Sequence, residues 1–131
     1  MKNLFTLILF VSCLSATSQN IEQQETEAPM QMGGLDVRPE YPGGVNAFLT
    51  FIMKNFQVPE NTGGGRIIIK FVVEKDGNTT DFKIIREPEP GLGDEAIRVI
   101  KKAEKWKPGE QNGKLVRVSY SLPINVPNMK E

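Results

Sequence analysis

The chain has 131 residues, 16 Lys and Arg against 16 Asp and Glu, no His, and a single cysteine, Cys13. The absence of His removes the commonest general base and the commonest metal ligand, and one cysteine cannot form an internal disulfide. Without Lys2 the balance is 15 against 16, and from residue 28 onward it is 15 against 13; neither value points to nucleic acid as a partner.

The N-terminus reads as a signal peptide, residues 1–18. Lys2 supplies a positive charge, Leu4 to Ala16 is apolar but short for a membrane span, and Ala16-Thr17-Ser18 provides small residues for cleavage after Ser18. Two other readings stay open: an uncleaved anchor, or lipidation of Cys13, which follows Ser12. Cleavage after Ser18 would leave a mature chain without cysteine, and so without a thiol nucleophile or Cys ligand. Residues 19–34 are polar, rich in Gln, Glu, Met and Gly, and lack apolar periodicity. They read as a flexible tail ahead of a domain spanning 35–131.

Within the domain, Asp36-Val37-Arg38 is a candidate extended piece, because Pro39 biases Arg38 away from the helical region. Tyr41-Pro42-Gly43-Gly44 is a turn. A helix follows over about 45–55, with Val45, Phe48, Leu49 and Ile52 on one face, and Pro59 bars its continuation. A strand over 66–74 alternates Ile67, Ile69, Phe71 and Val73 onto one face. Asp76-Gly77 signals a hairpin, and the return strand runs over about 79–87 with Phe82 and Ile84 alternating. A second helix is predicted over 93–105. Its apolar stripe comprises Leu92, Ala96, Val99, Ile100, Ala103 and Trp106; Asp94 and Glu95 open it, and Lys101, Lys102 and Lys105 close it in accord with the helix dipole. Pro108 and Gly109 stop it, and Asn112-Gly113 turns into a last strand over 115–124. On that strand Val116, Val118, Tyr120 and Leu122 face one way, and Arg117, Ser119 and Ser121 face solvent. The fold class is α+β: a three-stranded antiparallel sheet with two helices on one face, in the order α-β-β-α-β.

Five motifs in register carry a resemblance: YPGG at 41–44, the IIIKFVVEKDGNTTDFKII hairpin, Asp94-Glu95-Ala96, the WKPG of Trp106 to Gly109, and QNGK leading to Leu122-Pro123-Ile124. Over about 37–126 the chain resembles the C-terminal domain of TonB, in the variant common in Bacteroidetes-type bacteria. The resemblance implies a periplasmic module of transmembrane transport that engages TonB-dependent outer-membrane receptors. It would take the receptor's TonB-box peptide as an added strand, a mode known as β-augmentation. It implies no enzymatic activity, no cofactor and no small-molecule substrate. Carried onto this chain, the receptor-binding strand is Val116, Arg117, Val118, Ser119, Tyr120, Ser121 and Leu122. Tyr41, Pro42, Gly43, Gly44, Asp76, Gly77, Trp106, Pro108, Gly109, Asn112 and Gly113 are the motif residues that hold the fold.

The resemblance does not extend to a long Pro-rich spacer. The 16 residues of 19–34 contain one proline and reach roughly 50–60 Å when extended. The binding partner could equally be another TonB-like domain or a second copy of this chain. An alternative is a periplasmic scaffold or dimerisation module that reuses the fold without energy transduction. Catalysis has little to stand on: Asp76, Asp81, Glu87 and Glu89 form a loose acidic run, but Asp76 belongs to a turn and the two glutamates flank prolines. No GK[ST] or G-x-G-x-x-G loop is present. Trp106 reads as a core plug, and Lys101, Lys102, Lys105 and Lys107 read as a solvated face.

Overall fold

The computed structural model describes residues 27–130; the signal-peptide segment and residues 19–26 of the tail lie outside them. The elements are α1 (Gly44–Asn55), β1 (Gly65–Val73), β2 (Thr79–Arg86), α2 (Leu92–Ile100), β3 (Gly109–Gln111), β4 (Lys114–Val116) and β5 (Val118–Val126). The main sheet has the order β2-β1-β5 and both pairings are antiparallel. This is the α+β architecture expected from the alternating strands and the two amphipathic segments.

Strand alternation places Ile67, Ile69, Phe71 and Val73 on the inner face of β1, all fully buried. Opposite them on β5 stand Ile124, Leu122, Tyr120 and Val118. Phe48 and Ile52 from α1 and Leu92, Ala96, Val99 and Ile100 from α2 complete the core on that face. Val45, which shares the α1 stripe in the sequence, is instead exposed, and the first turn meets the core through Ala47. The YPGG turn closes through the Gly44 N–H, which donates to the Tyr41 carbonyl at 2.7 Å.

The second helix departs from the sequence reading in where it ends. The second helix stops at Ile100, five residues early, and its last carbonyls are met by tightened bonds: Lys102 N–H to Val99 and Ala103 N–H to Ile100. The chain then drops Trp106 into an aromatic cluster, with ring centroids 4.9 Å from Phe48, 5.0 Å from Tyr120 and 5.8 Å from Tyr41 and Phe71. A helix continued to Lys105 could not deliver the indole there. The backbone is pinned by the Trp106 N–H donating to the Gly77 carbonyl at 2.9 Å and by reciprocal bonds between Lys107 and Glu40. Trp106 is thus the buried plug expected, although its Nε1–H has no hydrogen-bond partner among the described residues. Lys101 lies over the Phe82 ring at 5.4 Å, so it is more than a solvated charge.

The last strand is also divided. Asn112 and Gly113 both have positive φ, 52° and 73°. This is the geometry of a two-residue hairpin turn, and it pairs β3 with β4. Val37 joins this small sheet through two bonds with Glu110, which makes Asp36–Arg38 the extended piece anticipated. At Arg117 the chain changes partner, and β5 runs beside β1 to Val126.

Candidate functional site

The main sheet has two edges, and they differ. β2 carries two register shifts against β1, one between Ile68 and Ile69 and one between Lys70 and Val72. The second holds Asp81 at φ 52°. Bulges of this kind twist an edge away from further pairing. β5 pairs with β1 without interruption from Gly65–Val126 to Val73–Val118. The uninterrupted register fixes which backbone groups point outward. The Ser119 N–H is turned away from β1, so Ser119, Ser121, Pro123 and Asn125 present their main-chain groups to the free edge, while Val118, Tyr120, Leu122 and Ile124 bond to β1. Pro123, which lacks an N–H, falls in the outward set and costs no bond to β1.

Of the seven residues assigned to this strand, six lie at or along this edge and one does not. Val116 sits in β4 opposite Gly109. Val118 and Leu122 are buried on the inner face. Tyr120 is half-buried, stacked on Phe71 at 5.5 Å, and burial pushes its phenol pKa up. Ser121 is exposed as expected.

Arg117 and Ser119 are not the solvent-facing residues the alternation suggested. Arg117 is 11% exposed at the side chain. Its Nε donates to Glu74 Oε2 at 2.8 Å, and its Nη2 reaches Glu74 Oε1 at 2.8 Å and Asp81 Oδ2 at 3.1 Å. The β2 bulge is what brings Asp81 within reach. Hydrogen bonds from Arg117 hold the Glu74 carboxyl below its ordinary range, and Glu74 in turn raises the guanidinium pKa. Ser119 is 6% exposed because the residues before the domain lie beside it. The Met30 N–H donates to the Arg117 carbonyl and the Ser119 N–H donates to the Met30 carbonyl, both at 2.8 Å, a parallel bridge to Val118. Met30 fell within the stretch read as a flexible tail, and nothing in its local sequence marks it as a strand. Pro123 and Asn125 were also missed as edge residues. Alternation through Ile124 and Val126 was the available signal, and Pro123 obscured it.

The acidic run is built into turns and ends. Asp76 accepts from the Asn78 N–H at 2.9 Å, and Glu87 from the Gly93 N–H at 2.8 Å. Glu89 accepts from the Gly63 N–H at 2.7 Å and the Thr62 hydroxyl at 3.0 Å. Among the described residues no three or more His, Cys, Asp or Glu side chains gather where they could hold a metal ion, and no helix is long and apolar enough to cross a membrane.

Residues 60–125 match the family model for the Gram-negative bacterial TonB protein C-terminal. Among solved structures the chain is similar to the solution NMR structure of the Helicobacter pylori TonB-CTD, residues 194–285. That match has a TM-score of 0.52 and 23% identity, covering 66% of this chain and 95% of the other. Among curated proteins nothing matches.

Proposed function

The chain belongs to the family of Gram-negative bacterial TonB C-terminal domains, and on that premise we propose that its β5 edge takes a TonB-box peptide of an outer-membrane receptor as an added strand, in the periplasm. The observation that carries this reading is the contrast between the two edges: β2 is bulged twice, whereas β5 is regular and turns the main-chain groups of Ser119, Ser121, Pro123 and Asn125 outward. Such groups give affinity that does not depend on peptide sequence.

Backbone pairing alone is too weak for a useful complex. Each bond contributes about 0.5–1.5 kcal/mol net, and a micromolar complex needs about 8 kcal/mol. Side chains must supply the remainder. Tyr120 is the residue placed to do so: it is half-buried at the edge and backed by Phe71 and Trp106. An aromatic body with a polar tip suits a contact that is part core and part solvent.

The test is a titration of the mature chain with TonB-box peptides from receptors of the source organism, followed by backbone NMR. Shifts concentrated in 118–125 support the reading. Ser121→Pro removes an outward N–H at the same register as Pro123 and leaves the β1 ladder intact; it should weaken binding about two- to tenfold. A flat titration with folded, monomeric protein defeats the proposal for those peptides. A second reading, self-pairing, is favoured by one feature: the outward residues from Ser119 to Asn125 include no charged side chain to repel a second copy. Sedimentation over a concentration series separates the two.

A further inference from the structure

The free edge of β5 is partly taken by the chain itself. An N–H has one hydrogen to give, and that of Ser119 is given to the Met30 carbonyl; the Arg117 carbonyl accepts from Met30 in return. Two further contacts hold the same segment. Arg117 Nη1 donates to the Glu27 carbonyl, and Lys75 Nζ pairs with the Glu27 carboxylate at 2.9 Å. Val72 and Ser119 stand on the sheet face away from the helices, yet they are 5% and 6% exposed; Pro29 and Gln31 line the surface beside them. The segment is short-tethered as well: six residues separate Met30 from Val37, which is itself bonded to Glu110. A tether of that length keeps the effective concentration of Met30 at the edge high.

We infer that residues 27–32 form an intramolecular strap that competes with an incoming strand for the Arg117–Ser119 end of β5. This rests on the reading of β5 as the receptor-binding edge. With the strap docked, a peptide can pair only from the Ser119 carbonyl onward, toward Asn125. To use the whole edge it must first displace Met30. The apparent affinity is therefore reduced by the fraction of molecules in which the strap is open. Two backbone bonds, offset by the ordering of the tail, set that reduction at about three- to thirtyfold.

The test uses the full mature chain and its Met30→Pro variant, which lacks the N–H given to Arg117. Two quantities are read: amide exchange at Ser119 without peptide, and the affinity for the TonB-box peptides. In the wild type Ser119 should exchange slowly and Ser121 fast. Met30→Pro removes one of the two backbone bonds and keeps the carbonyl that accepts from Ser119, so the Ser119 amide should exchange about two- to tenfold faster, Val118 should stay protected as the control for folding, and the peptides should bind up to about tenfold more tightly. Unchanged exchange at Ser119 in the variant overturns the strap. Equal affinities for the two proteins, with Ser119 exchanging faster in the variant, overturn the strap as a competitor and leave the receptor reading standing. Fast exchange at Ser119 in the wild type overturns the strap itself. Binding by neither protein, with Ser119 exchanging faster in the variant, defeats the receptor reading and removes the strap's regulatory role with it.

Discussion

Replacing Gly77 by Ala should cost far more than the same change at Gly113, although both are the glycines of hairpin turns. Both sit at positive φ, 85° and 73°, so each alanine suffers left-handed strain of about 1–2 kcal/mol. At Gly113 a Cβ would meet nothing within 4 Å among the described residues, and strain is the main cost. At Gly77 it would lie 2.1 Å from the Trp106 carbonyl oxygen. Backbone must move, and the backbone in question is the one that holds the indole in the core. Loss of the bond from the Trp106 N–H to the Gly77 carbonyl adds about 1 kcal/mol, and loosened packing around the indole adds more. Gly77→Ala is therefore expected to lose about 3–5 kcal/mol, and Gly113→Ala about 1–2 kcal/mol. Urea unfolding followed through Trp106, the single tryptophan, measures both the midpoint and the exposure of the ring. Gly77→Ala should lower the midpoint strongly and red-shift the native emission, while Gly113→Ala leaves the emission unchanged. Equal midpoints for the two variants would refute the argument that the turn and the Trp106 backbone are in contact.

Other outcomes follow from burial and charge. Phe48→Ala empties a fully buried site between α1 and the sheet and should cost about 3–5 kcal/mol, whereas Val45→Ala on the same apparent stripe should stay within about 0.5 kcal/mol; urea midpoints decide. The Glu74 carboxyl is held below its ordinary value of 4.5, chiefly by hydrogen bonds from Arg117. Because the folded value is the lower one, its contribution is present above the unfolded carboxylate range and is lost as pH falls through the folded value. Stability should thus decline on acidification below about pH 4.5, and Arg117→Met should flatten that decline when midpoints at pH 7 and pH 3 are compared. An unchanged acid limb would show that the Arg117–Glu74 pair contributes nothing to it.

What could be read from the sequence was whatever depends on nearby residues. Alternation gave β1, the Asp-Gly turn gave its hairpin with β2, and apolar spacing gave both helices. Asn112-Gly113 carried a hairpin signal as well, but Pro108 and Gly109 beside it look like loop, and three-residue strands are too short for alternation to register. Long-range effects were hidden. The end of α2 is set by where Trp106 must go, and the burial of Arg117 by a bulge in another strand that presents Asp81. Ser119 looks solvent-facing in any period-two pattern, because what covers it lies some ninety residues earlier in the chain. Met30 has no local feature that marks it, since its role comes wholly from the edge it meets.

The unequal edges give the molecule a valency. A sheet with two open edges can add copies at both sides and grow without limit. Here the bulges of β2 disfavour pairing, so among the described residues the main sheet offers one regular edge for edge-to-edge assembly. Two copies joined β5 to β5 in antiparallel fashion are related by a two-fold axis, and each occupies the other's β5 edge. Association by this route ends at the pair, and raising the concentration yields more pairs rather than longer chains.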